Sequence, residues 1–92
     1  MMKVLVRKPT TEQKKLLEGC PIWEHDAGTF PGKYDGREET SLIIEGNAYV
    51  ESPEGEKVNF TVGDLVTFAP NLVCTWTILE KVRKHYIFDM KH

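Results

Sequence analysis

Apolar and β-branched residues fall in short runs along this chain, and a turn signal cuts off each run. From Glu39 the sequence reads Glu-Thr-Ser-Leu-Ile-Ile-Glu-Gly-Asn-Ala-Tyr-Val, and after a further turn it runs from Gly63 to Trp76 as Gly-Asp-Leu-Val-Thr-Phe-Ala-Pro-Asn-Leu-Val-Cys-Thr-Trp. Turn residues stand at Glu45-Gly46-Asn47, Ser52-Pro53-Glu54-Gly55 and Val62-Gly63-Asp64. This rhythm predicts a small all-β barrel or sandwich folded from successive hairpins. Strands are expected at 38–45, 48–51, 58–62, 64–69, 73–79 and 82–88. Pro70-Asn71 supplies one more turn, because Asn tolerates the left-handed conformation. Alternation puts Cys74, Trp76 and Ile78 on one face of their strand, and Tyr86 and Phe88 on one face of theirs, opposite His85 and Ile87.

The first third reads differently. Residues 3–8 (Lys-Val-Leu-Val-Arg-Lys) predict an edge strand whose basic ends blunt it against unwanted pairing. Thr10 caps a short helix, with Gln13 at the reciprocal capping-box position. Gly19 ends that helix and Pro21 forbids its continuation. About two turns of helix do not stand alone in water, so this one leans on the barrel through Leu16 and Leu17. Residues 21–27 are extended, with Trp23 packing across an open barrel end or under the helix. Three glycines and a proline in residues 28–36 imply a strand with bends and close backbone approaches. Asp89 to His92 is expected to be a frayed polar tail.

Ninety-two residues make a single domain, with its core at about 21–88 and the strand and helix of 3–19 laid against it. A chain this short buries roughly two thirds of its unfolded surface. The core is thin, and pairing with a second copy as a homodimer is expected. The net charge of -2 is mild. The one basic cluster, Lys81, Arg83, Lys84 and His85, lies on a predicted strand, so its side chains split between two faces, and it reads as a solvated edge rather than a phosphate or nucleic-acid patch. Met1-Met2-Lys3 precedes only Val4-Leu5-Val6 before Arg7, far short of a secretory leader. No run approaches the ~20 apolar residues of a membrane span. Cys20 and Cys74 lack metal or redox spacing and read as reduced thiols, so a cytoplasmic location is expected.

The spacing of the central stretch resembles the cupin superfamily. Glu39, six residues and Gly46 fit the second half of its first motif. Gly63 opens the second motif, with Ala69, Asn71, Cys74 and Ile78 at its proline, glycine, histidine and asparagine positions. Within the superfamily the chain is similar to the subfamily of ureidoglycine aminohydrolases and EutQ-type proteins. The phrases that carry this are Trp23-Glu24, Gly28-x-Phe30, Ile44-Glu45-Gly46, Gly63-Asp64-Leu65-Val66-Thr67-Phe68, Trp76 and Glu80-x-x-Arg83-Lys84-x-Tyr86. The resemblance implies a cupin-type barrel (a double-stranded β-helix, or jelly roll) with one short N-terminal helix.

It also implies a metal held by three histidines and the glutamate, and here the residues depart. The two histidines of the first motif fall at Lys33 and Asp35, or at Gly32 and Tyr34, and the third falls at Cys74. That set is poor for a divalent ion, since open catalytic sites usually keep three protein ligands. No metal and no cofactor is therefore expected. Glu39 reads either as a structural carboxylate, bonded to a tyrosine, a tryptophan or a backbone donor, or as a ligand contact. Cys74 is either a small buried hydrophobe or a thiol activated by His85 or His25. Trp76 either fills the barrel or walls a pocket.

The expectation is a barrel that binds a small polar metabolite in a cleft lined by Tyr34, Glu39, Cys74 and Trp76, with neither nucleic acid nor membrane as partner. Two alternatives stand beside it. One is an aminohydrolase- or isomerase-like enzyme using Glu39 as general acid or base, assisted by Cys74 or an acquired metal. The other is a dimerisation unit whose barrel is filled.

Overall fold

A computed structural model of the chain describes residues 3–90. The elements in order are β1 (Val4–Arg7), α1 (Thr11–Glu18), β2 (Ile22–His25), β3 (Gly28–Lys33), β4 (Glu39–Glu51), β5 (Lys57–Thr61), β6 (Leu65–Phe68) and β7 (Val73–Phe88). All pairings are antiparallel.

The two long strands organise the rest. β4 and β7 pair along nearly their whole length, from Glu39 opposite Phe88 to Glu51 opposite Thr75. The first half of β4 takes β6 on its other side, and the second half takes β5. On β7, residues 82–85 pair with β2 and residues 73–78 with β3. The shared strands thus run through two layers, β1-β6-β4-β7-β2 and β5-β4-β7-β3. Register shifts between Ile43 and Ala48 mark the passage from one layer to the other. Bulges of this kind bend a strand and increase its twist, as a small closed sheet requires.

Two sequence expectations are corrected at this corner. Gly46-Asn47 is not a hairpin turn, and Glu80-Lys81 does not separate two strands; β4 and β7 both continue through. Gly46 supplies a left-handed φ of 83° at the bulge, against the backbone carbonyls of Glu80 and Lys81. The other turns form as read. Gly55 N–H donates to the Ser52 carbonyl at 2.9 Å, Gly63 has φ 92°, and Asn71 is left-handed at φ 64°.

The main core lies between the layers and includes Ile43, Val50, Phe60, Val66, Phe68, Trp76 and Val82. A second cluster, Leu17, Leu42, Leu65 and Met90, forms where α1 covers the outer face of the first layer. All four residues of β6 are buried, because both of its faces are covered. The capping box of α1 is complete: Gln13 N–H donates to Thr10 Oγ1 at 3.1 Å, and Thr10 N–H to Gln13 Oε1 at 2.9 Å. Only Leu17 of the expected apolar pair is buried; Leu16 is exposed. The expected fraying does not extend to Asp89 and Met90. Asp89 N–H donates to the Glu38 carbonyl at 2.8 Å, and Met90 is buried. Lys91 and His92, the rest of that tail, lie outside the described residues.

Candidate functional site

A cleft of about 380 Å³ opens into the space between the layers. Its walls come from four strands. β2 supplies Trp23, β3 supplies Phe30 and Gly32, β4 supplies Glu39, and β7 supplies Trp76, Lys84, Tyr86 and Phe88; Tyr34 follows β3. Phe30 sits opposite Trp76 in register and stacks on it, with ring centroids 5.8 Å apart at 12°. Trp23 closes the wall at 5.8 Å from Trp76.

At the base of these rings lies a buried ion pair. Lys84 Nζ is 2.6 Å from Glu39 Oε2, and the two side chains are 6% and 12% exposed. Ser41 Oγ donates to the same carboxylate oxygen at 2.9 Å. The ammonium stands over the Trp23, Trp76 and Phe68 rings at 4.9, 5.0 and 5.5 Å from their centroids. Burial lowers the Lys84 pKa, while the charge and hydrogen bond of Glu39 oppose that shift.

The basic cluster therefore needs correction. Lys81 and Arg83 are surface residues that pair with Glu24 at 3.5 and 3.4 Å, but Lys84 is part of the interior. Period-two alternation carried on from Cys74 and Trp76 through Val82 reaches Lys84, Tyr86 and Phe88 on the same inward face. The sequence does split these four side chains between two faces of the strand, and that parity, rather than a solvated edge on both faces, gives the inward place of Lys84.

Tyr34 is held from both sides. Its N–H donates to the Leu72 carbonyl at 3.1 Å, and its own carbonyl accepts from Asn71 N–H. Its ring stacks on Phe68 with centroids 4.7 Å apart at 5°. Trp76 Nε1 donates to Tyr34 Oη at 3.0 Å. Burial raises the Tyr34 pKa, the Glu39 charge adds to the rise, and the Trp76 hydrogen bond opposes it.

This has a consequence for alkaline stability. Tyr34 keeps its proton in the folded state when the unfolded chain, near the ordinary value of 10.0, has lost it. Above that pH the folded state binds more protons, so this contribution is complete below pH 10 and falls as pH rises. Cys74 acts in the same sense from its ordinary 9.0, because burial raises it against the opposing Lys84 charge. Lys84 acts in the opposite sense, its penalty being relieved toward 10.5. Comparison with Tyr34→Phe cancels the shared contributions. The stability advantage of wild type over Tyr34→Phe, from urea unfolding, is expected to shrink above about pH 10 with a slope approaching 1.4 kcal/mol per unit. Parallel curves would contradict this.

Of the four residues expected at the ligand, Tyr34, Glu39 and Trp76 line the cleft. Cys74 does not. It is buried behind Gly32, where an added Cβ would lie 3.3 Å from its sulfur. The bases considered for it are engaged elsewhere: His85 Nδ1 lies 2.8 Å from the Cys20 carbonyl, and His25 Nδ1 lies 2.7 Å from that of Asp26. Trp23, expected at a barrel end or under the helix, walls the cleft. Glu39 bonds neither the tyrosine nor the tryptophan directly; Lys84 and Ser41 hold it.

These residues do not fit the metal that the resemblance implies. Lys33 and Asp35 are exposed, Cys74 is set back, and the Glu39 carboxylate faces an ammonium. Among the described residues no three His, Cys, Asp or Glu side chains gather as a ligand set.

Comparison with known proteins agrees with this architecture. Residues 13–86 match the EutQ-like cupin domain. A DUF861-family protein from Thermotoga maritima is 44% identical, with 92% of this chain and 98% of that one aligned and a TM-score of 0.84. An ethanolamine-utilisation EutQ protein from Salmonella typhimurium aligns at 22% identity over 92% of this chain and 68% of its own, with a TM-score of 0.63. The Clostridium difficile EutQ protein aligns at 20% over 92% and 66%, with a TM-score of 0.66; these two share the fold. No curated protein matches the chain. The protein is a small all-β cupin barrel with one short N-terminal helix, and it belongs to the EutQ-like cupin domain family.

Proposed function

We propose that the barrel is a binding site for a small polar metabolite that carries a carbonyl or carboxylate oxygen on a compact apolar body. The observation behind this reading is the set of hydrogen-bonding positions left over at the ion pair. Lys84 has three N–H groups, and Glu39 takes one of them. Tyr34 accepts from Trp76, and its own hydroxyl proton has no acceptor among the described residues. Glu39 Oε1 has no partner there either, since Oε2 receives both Lys84 and Ser41. Two donor groups, Lys84 and Tyr34, and one acceptor, Glu39, thus line one cleft beside an aromatic wall, the usual composition of a small-molecule site. No metal takes part in this reading; the fixed ammonium supplies the positive charge.

A thermal-shift screen over small carboxylates, keto acids, amides and sugars tests it. A ligand at about 100 times its dissociation constant adds roughly 2.7 kcal/mol, which corresponds to about 10 °C or more for a domain of this size. The shift is expected to be lost in Gly32→Ala, where the new Cβ would lie 2.7 Å from Trp76 Cδ1 and push the indole out of place. No shift with any class, or an equal shift in Gly32→Ala, would contradict the proposal.

A further inference from the structure

We propose that Lys84 is an amine nucleophile that forms a reversible imine with a small aldehyde or keto acid bound in the cleft. This rests on the binding reading above and names the ligand class. Three features of the geometry carry it.

The first is placement. Lys84 lines a cavity large enough for a metabolite, whereas the other lysines among the described residues are exposed on the surface. A cation is costly to bury, and a structural ammonium gains nothing from facing a cleft. The second is the means of moving protons. Attack requires the neutral amine, and Glu39 Oε2 at 2.6 Å is placed to take the proton. Burial lowers the Lys84 pKa and so favours the neutral form. The third is the surroundings. Trp23 and Trp76 set apolar rings against the amine, and an apolar surround favours the dehydrated product.

The step balances without an oxidant or reductant. The Lys84 lone pair attacks the carbonyl carbon, a C–N bond forms, and one of the two protons on the attacking nitrogen passes to the carbonyl oxygen to give a carbinolamine. Tyr34 Oη–H stands on the same wall to hold that oxygen. Glu39, carrying the proton taken from Lys84, returns it to the carbinolamine hydroxyl. Water leaves, the C=N bond forms, and the nitrogen gives up its last proton to the carboxylate.

The test is reductive trapping. Intact protein is incubated with pyruvate or glyoxylate and cyanoborohydride, and adducts are located by peptide mass spectrometry. Lys33 is an internal control, because it stands at the cleft rim but is exposed. The expected result is one adduct per chain on Lys84, formed at least tenfold faster than on Lys33. Lys84→Arg, which keeps the charge, should show surface labelling only. Glu39→Gln should slow trapping about 10²-fold, the lower range for a positioned proton carrier. Lactate has no carbonyl and separates the two proposals. Equal thermal shifts from lactate and pyruvate with no Lys84 adduct would leave the binding site standing and overturn the imine. Labelling of Lys84 no faster than Lys33 would overturn it as well.

Discussion

Lys84→Met is expected to destabilise the protein by about 3–5 kcal/mol, the usual consequence of removing one partner from a buried ion pair. The Glu39 side chain is 12% exposed and would keep only Ser41 as a hydrogen-bond donor. Glu39→Leu should cost a similar amount, because it strands the ammonium over the Trp23 and Trp76 rings. Domains of this kind are stable by only about 5–15 kcal/mol, so either change removes a large share of the total. The double variant Lys84→Met/Glu39→Leu should recover most of the loss, since apolar replacement of a whole buried pair is often neutral or stabilising. A double-mutant cycle by urea unfolding is therefore expected to show a coupling of at least about 2 kcal/mol. Additive single effects would mean that the two groups do not depend on each other. An ion pair that apolar residues replace at little cost in stability contributes little net stability of its own, which fits a role in binding.

Gly46→Ala is the second large effect, and it tests the fold rather than the site. Gly46 sits at φ 83°, where β4 passes between the layers. A Cβ there would meet the backbone carbonyl oxygens of Lys81 and Glu80, and neither can swing away as a side chain can. Left-handed strain alone costs about 1–2 kcal/mol, and the collision adds to it. A loss of about 3 kcal/mol or more is expected from denaturant unfolding. Gly55→Ala is the control. Its φ of 92° brings similar strain, but nothing lies within 4 Å of the new methyl, so its loss should stay near the strain value alone. Equal losses at the two positions would contradict the corner geometry.

Much of this fold is legible in the sequence because its local signals agree. Thr10 and Gln13 mark the start of the helix, Ser52-Pro53-Glu54-Gly55 and Val62-Gly63-Asp64 mark turns, and Asn71 takes the left-handed turn position. The continuity of β4 was hidden because glycine followed by asparagine signals a hairpin as readily as a bulge. Only the carbonyls of β7, distant in sequence, decide between them. The site was half legible. Tyr34, Glu39 and Trp76 follow from motif position and alternation, and they do meet at one cleft. Cys74 shares the inward face of Trp76, but face alone does not give depth, and Gly32 lies between its sulfur and the cleft. Lys84 was missed because a lysine among basic residues resembles solvated surface. Only a partner 45 residues away, Glu39, makes its burial tolerable.

The presence of a ligand site at the Lys84–Glu39 pair is tested most directly by the indole N–H signals. The chain has two tryptophans, Trp23 and Trp76, and both line the cleft. A ¹H–¹⁵N correlation spectrum therefore carries two indole peaks, both reporting from the site. Titration with pyruvate, or with the strongest hit of the thermal-shift screen, is expected to move both peaks together, while the amide peaks of α1 stay in place. Indole peaks that hold still as the ligand saturates the protein, or shifts confined to residues away from β2, β3 and β7, would contradict a binding site in this barrel.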